Sequence, residues 1–205
     1  MYDRVVFEPY VSYEEFVQRM NGENVFNMFC GFRAQLQPEL EIDYNQISPL
    51  LWHMEHILCS GNEEAYECML NWLAHLCQTP NKKIGVMIAL MSSSQGAGKN
   101  IFWDFIGEYI IGSRHYTVLN DLDQLTGKFN SVNENKLLTI CDEIGNYGAA
   151  HRSNDKLKNI ITQSQQIIGR KGLDAICVVS NRLLCWKFCV FSDDLSLTKS
   201  PTAQI

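Results

Sequence analysis

What the sequence lacks narrows its class. Its eight cysteines include no C-x-x-C pair, and most lie inside apolar runs. They read as small core hydrophobes in a reducing compartment, not as a disulfide framework. In "HMEHILC", His53, His56 and Cys59 are spaced by three, a spacing that could place metal ligands on a helix. No second ligand pair with zinc spacing follows, so helix-surface and core roles are expected for them. No apolar run is long enough to span a bilayer, and no signal-peptide pattern opens the chain. A soluble, intracellular protein that does not engage membrane is expected. Repeats and low-complexity tracts are missing too. So is net positive charge: the formal charge is −6. The imbalance is uneven. Residues 1–90 carry 5 Lys/Arg against 12 Asp/Glu, whereas residues 151–187 carry 7 Lys/Arg against 2 Asp. Such asymmetry can mark a local surface for polyanions, although charges scattered over solvated faces would give the same count.

What is present suits a globular chain. The 205 residues, 46% hydrophobic, correspond to about one domain with a small appendage. Residues 1–82 read as a mostly helical N-terminal region. Ser12 with Glu15 forms a capping-box pattern ahead of Phe16 and Met20. Ser48-Pro49 is expected to open a helix with Leu51, Met54 and Leu58 on one face. Asn62 is expected to cap another, with a stripe of Tyr66, Met69, Leu70, Leu73 and Cys77 before Pro80. These are packing faces. Residues 83–190 read as an α/β core and residues 191–205 as a loose polar tail.

The core begins with "IGVMIALM", residues 84–91, an apolar run suited to a strand buried on both faces of a parallel sheet. "SSSQGAGKN" follows. "NIFWDFIGEYI" then has helical periodicity, with Phe102, Phe105, Ile106 and Tyr109 on one side. Strand, glycine-rich loop and helix form the context that a phosphate-binding loop needs. The usual loop pattern is G-x-x-x-x-G-K-[ST]. Here Ser93 stands for the first glycine and Asn100 for the closing hydroxyl residue. A second apolar run, "LLTIC", ends at Asp142-Glu143. Lys99 and Asp142 are 43 positions apart, room for a helix, a crossover strand and a return. "NDKLKNIITQSQQII" reads as helical to about Gln166. "GRKGLD" between "QQII" and "AICVV" reads as the turn of a β-hairpin.

The residue types define a chemistry. Consecutive backbone N–H groups in a glycine loop line a concavity, and the following helix turns its positive end toward it. Gly96 and Gly98 let the main chain approach phosphates without a Cβ clash. Gln95, Ala97 and Ile101 complete the nucleotide-contacting stretch. Lys99 would meet the β- and γ-phosphates as a point charge. Mg²⁺ requires oxygen ligands, which Asn100 offers through its side-chain carbonyl, directly or through water. Asp142 at a strand end is placed for the same ion, and Glu143 for polarising an attacking water. A surface turn would explain Asp-Glu alone, and a short G-x-G-K is weak alone. The ordered pair points to a P-loop NTPase with ATP and Mg²⁺ as cofactors.

"NMFCGF" (residues 27–32), "NEEAYECMLNWLAHLCQTP", "QGAGKN", "GKFN" (residues 127–130) and "LLTICDEIGN" occur in the order found in superfamily 3 helicase domains. The sequence resembles the poxvirus-type and phage primase-polymerase-associated helicases of viruses and mobile elements, over roughly residues 27–187. Loops ending in Ser or Asn occur in that family, so Asn100 looks like a family variant. The resemblance implies an AAA+-like parallel sheet flanked by helices, with a small helical N-terminal subdomain. It implies an ATP-driven motor of a replicative primase-helicase that assembles as a homo-oligomeric ring, usually a hexamer, on single-stranded DNA. Nucleus, cytosol and viral factory are all compatible compartments. It also implies a basic hairpin, where Arg170 and Lys171 sit at the matching turn. Lys156 and Lys158 precede it, with a solvated helix face as the equal alternative.

Two departures from the family stand out. A sensor asparagine belongs at the end of the strand after the hairpin. Asn181 in "VVSN" is a candidate, but it follows Lys171 by only ten positions. If "AICVVSN" is the hairpin's return arm, "RLLCWKF" becomes the sensor strand and its asparagine is missing; this second register is favoured. Downstream of Lys187 there is no arginine to act as a finger toward a neighbouring subunit, so truncation before the finger is expected. A nucleotide- and DNA-binding remnant without turnover is the alternative. A P-loop small-molecule kinase ranks lower, because Arg152, Arg170 and Arg182 are too spread for a lid.

Overall fold

The structure, a computed structural model, describes residues 2–10, 12–36, 41, 43–92, 98–142, 154–179 and 183–189. Its centre is a parallel sheet of four strands among these residues: β3 (Ile88–Ser92), β4 (Tyr116–Leu119), β5 (Leu138–Asp142) and β8 (Leu183–Cys189). Their spatial order is β3-β8-β5-β4, so β8 lies between β3 and β5. Register pairs Ser92 with Cys189 and Asp142 with Lys187, so β3 and β5 end on the same edge.

β5 is buried on both faces, which accounts for its apolar run. β3, expected to be buried likewise, buries Leu90 but leaves Ala89 and Met91 exposed on its other side. Side chains alternate along β5: Leu138 and Ile140 join one cluster, Cys141 the other. The first face is covered by the N-terminal helices and the helix after β3, through Met54, Met69, Trp72, Phe102 and Trp103. Trp72 and Trp103 meet edge-to-face at 6.0 Å. The second face is covered by α5 (Leu122–Thr126) and α6 (Asn154–Thr162), through Leu122, Leu125 and Leu157. The N-terminal region and the sheet therefore share one core.

That region is helical with one addition. β1 (Arg4–Val6) and β2 (Val25–Asn27) form a short parallel pair around α1 (Tyr13–Met20). Ser12 caps α1 by accepting from the Glu15 amide at 3.2 Å. Asn62 caps α3 (Glu63–Gln78) by accepting from the Ala65 amide at 2.8 Å. The buried stripe of α3 is Met69, Trp72 and Leu76, with Tyr66 and Leu73 at its margin and Leu70 facing out.

Several boundaries differ from expectation, each for a local reason. Helix α2 (Tyr44–Trp52) starts four residues before Ser48, capped by Asp43 on the Asn45 amide at 2.9 Å. Pro49 lies inside it. A proline cannot bond the carbonyl four residues back, and the Ser48 hydroxyl donates to that Asn45 carbonyl at 2.9 Å instead. The strand expected from Ile84 begins at Ile88. Gly85 adopts a left-handed φ of 73°, and the Val86 carbonyl accepts from Trp72 Nε1 at 3.1 Å. The helix expected to reach Gln166 stops at Thr162, because Gln165–Ile168 forms β6, paired antiparallel with β7 (Ile176–Val179).

Two π-helical turns were not foreseen. One, His53–Leu58, continues α2; the other, Phe105–Ile111, continues α4 (Lys99–Asp104). The wider turn shifts the helical phase. Phe102, Trp103, Ile106 and Ile111 are buried, with the last two spaced by five, while Phe105 and Tyr109 face outward.

Candidate functional site

Ligands in open α/β sheets bind beyond the carboxyl ends of the strands. On that edge the structure brings together two residues that the sequence separates. The Asn100 side-chain amide Nδ2 donates to Asp142 Oδ2 at 3.1 Å. Asn100 is the second residue of α4, whose start is set by the chain leaving β3; Asp142 closes β5. The apolar residues of β5 are fully buried, and burial relaxes only at Asp142, where the strand reaches the edge. Lys99, half-buried, opens α4 beside Asn100. Ile101 is 69% exposed on the outer side of the same helix. Gln95, Gly96, Ala97 and Glu143 lie outside the described residues.

The donor set suits a hard cation only in part. Asn100 and Asp142 supply oxygen donors, and among the described residues no cluster of three His, Cys, Asp or Glu could hold a metal alone. Mg²⁺ is usually held in this way, by one or two carboxylates plus substrate phosphates and water.

A residue that sequence reasoning passed over completes this edge. His53 Nε2 lies 3.1 Å from the Gly98 carbonyl. The carbonyl accepts, so Nε2 is the protonated nitrogen in this contact. The His53 ring stacks parallel to Phe102 with centroids 6.5 Å apart. Gly98 takes a φ of 77°, and a Cβ there would lie 2.6 Å from His53 Cε1. Gly98 is thus required twice, by its left-handed backbone and by the imidazole packed on it. No spacing rule links positions 53 and 98; the first π-helical turn brings them together. His56 instead stacks on Trp52 at 5.0 Å, and buried Cys59 contacts the Met69 sulfur, so the three residues of "HMEHILC" do not converge.

The basic hairpin is built on a different element. Asn130 Oδ1 accepts from the Gly169 amide at 2.8 Å, and Asn130 Nδ2 donates to the Ile167 carbonyl at 3.2 Å. A Cβ on Gly169 would overlap the Lys128 carbonyl, so only glycine fits at the root of β6. Arg170 pairs through both Nε and Nη2 with the Glu134 carboxylate, half-buried. Its guanidinium therefore braces the hairpin root. Lys171 is exposed at the turn, as are Lys156 and Lys158 on α6. The hairpin's return arm is β7, and β8 is the strand that enters the sheet, which is the second of the two registers weighed above. Asn181 lies outside the described residues, ahead of β8.

Residues 90–199 match the family described as "Family of unknown function (DUF5906)". The chain belongs to this DUF5906 family. No curated protein matches it. Its fold is similar to that of the NrS-1 C terminal region in three solved apo structures. One superposes with a TM-score of 0.70 at 19% identity over 90% of this chain. The others give 0.68 at 20% and 0.65 at 21%. The DUF5906 chain spans 42% of the length of each, and at these identities the likeness concerns the fold. Among the described residues no helix is long and apolar enough to cross a membrane.

Proposed function

We propose that this DUF5906 chain is the ATP-binding and ATP-hydrolysing part of a DNA helicase of the superfamily 3 type, as found in replicative primase-helicases. The observation that carries the reading is the Asn100–Asp142 hydrogen bond at the carboxyl edge of a parallel sheet, beside Lys99. A loop lysine and a strand-end carboxylate must share one ion-bound triphosphate for this chemistry, and the residue that follows this lysine is bonded to that carboxylate. The family resemblance in the sequence and the fold likeness to the NrS-1 C terminal region support the same reading.

In this reading the loop amides and Lys99 hold the phosphates, and His53 keeps the Gly98 carbonyl turned away from them. Asn100 positions the Asp142 carboxylate, and both supply oxygen ligands to Mg²⁺. The ion, when bound, neutralises charge on the β- and γ-phosphates. Glu143 takes the proton of the attacking water. Single-stranded DNA lies along the hairpin, and the assembled form is a homo-oligomeric ring.

The test is nucleotide binding by the intact chain and by Lys99→Ala. Loss of binding in the variant is expected; equal binding by both ends the proposal. A reading without turnover has one observation in its favour. β8 rather than β7 lies between β3 and β5, and β8 contains no asparagine. DNA-stimulated hydrolysis that disappears in Glu143→Gln would exclude it.

A further inference from the structure

A cleft of about 1050 Å³ opens between residues 127–130, helix α6 and the β6–β7 hairpin. Neither Asn100 nor Asp142 lines it, nor do Gly98, Lys99 and Ile101, the other described residues of the nucleotide-contacting stretch. Lys128 and Lys156 stand on its walls, against one carboxylate among the described residues, Asp174. Arg170 also reaches it but is bonded to Glu134. Phe129 lines it and is 56% exposed. The Lys128 ammonium lies 5.6 Å from the Phe129 ring centroid, so cation and π-face are presented together. The rest of the lining is rich in amides, including Asn159, Gln163 and Gln166.

We infer that this cleft is a binding groove for single-stranded nucleic acid, with Phe129 as a stacking platform for a base and Lys128 and Lys156 as phosphate contacts. Exposed aromatics beside lysines suit an unpaired strand, because every base has a π-face and every link a phosphate. The amides can serve base edges or sugars. A duplex offers no free base face to Phe129. The groove also changes the role of the hairpin. Arg170 braces its root, and the contact to the strand passes to residues 128 and 129, which Asn130 locks to the hairpin. The inference rests on the DNA-binding part of the proposed function and is independent of its nucleotide site.

The experiment is fluorescence anisotropy of a labelled oligothymidylate, and of a duplex of equal length, with the full chain at low salt. Phe129→Ala and Phe129→Leu are each expected to weaken single-strand binding about tenfold, with the duplex bound more weakly by the wild type. Phe129→Leu keeps apolar bulk, and its melting curve should match the wild type. Lys128→Ala and Lys156→Ala are each expected to lower the slope of log affinity against log salt by about 0.7. Strand binding by Phe129→Leu equal to wild type overturns the stacking groove but leaves DNA binding through Lys171 intact. Failure of the wild type to bind the strand overturns the groove and the DNA reading together. ATP binding, measured separately through Lys99→Ala, is unaffected by either failure.

Discussion

Asn100 and Asp142, 42 positions apart, are joined by a 3.1 Å hydrogen bond at the ends of α4 and β5, with β8 between β5 and β3. A serine in the usual position would offer a hydroxyl to the ion. Asn100 offers an amide oxygen and, through its N–H, also orients the carboxylate. Asn100→Ser should therefore retain Mg²⁺-dependent ATP binding. Asn100→Leu, which removes the oxygen and the donor, should weaken it by about tenfold or more. Calorimetric titration with and without Mg²⁺ measures both; equal affinities for the three proteins would remove Asn100 from the site.

The contact between Gly98 and His53 predicts a non-additive pair. Gly98→Ala should destabilise by about 1–3 kcal/mol, from the left-handed backbone and from the imidazole that a Cβ would strike. His53→Ala in that background should recover the steric part and leave the backbone part. Urea unfolding of the two single variants and the double variant reads the coupling. A strictly additive result would mean that the ring does not confine the loop.

Gly107 lies in the second π-helical turn against the Tyr116 ring, where an added Cβ would come within 2.4 Å. Gly107→Ala should cost about 1–3 kcal/mol by forcing the ring aside. The Tyr116 hydroxyl donates to Asp104 at 3.1 Å, and its pKa is raised by burial and then by Asp104. Because Asp104 is exposed and can turn to water, Tyr116→Phe should cost only about 1 kcal/mol. Thermal melting should rank Gly107→Ala below Tyr116→Phe.

His115 should make stability fall in mild acid. Its Nδ1 donates to the Asn135 carbonyl at 3.1 Å, while Nε2 is buried without a partner beside Phe7 and Phe29. Burial holds its pKa below the ordinary 6.5. The unfolded chain then binds a proton that the folded chain refuses. The contribution is complete above pH 6.5 and is lost as pH drops from there to the folded value. The melting temperature of His115→Phe should fall less than that of the wild type across this window. Parallel curves would assign the acid sensitivity elsewhere.

Much of the architecture was legible in the chain. Long apolar runs located β3 and β5. β5 carries no polar alternation because both its faces are buried, whereas the apolar run of β3 continues through Ala89 and Met91, which face outward. Caps at Ser12 and Asn62 were readable because capping is a short-range hydrogen bond between near neighbours. The helix of Pro49 was misread for the opposite reason. Its start depends on Asp43 and on a serine hydroxyl that replaces a missing amide, a compensation that a proline rule does not contain. The π-helical turns escaped the periodicity rule, since a widened turn changes the period itself.

The sequence by itself determined the local and linear features: which segments are apolar enough to be strands, where a glycine-rich loop meets a lysine, and where a strand ends in acids. Only the tertiary structure decided which of these meet. It set His53 against Gly98, bound Arg170 to Glu134 rather than leaving it exposed, and placed β8 beside β5 while β7 closed the hairpin. Pattern and propensity act over a few residues, whereas these pairings join positions tens of residues apart. They are chosen by the shared packing of two faces of one sheet.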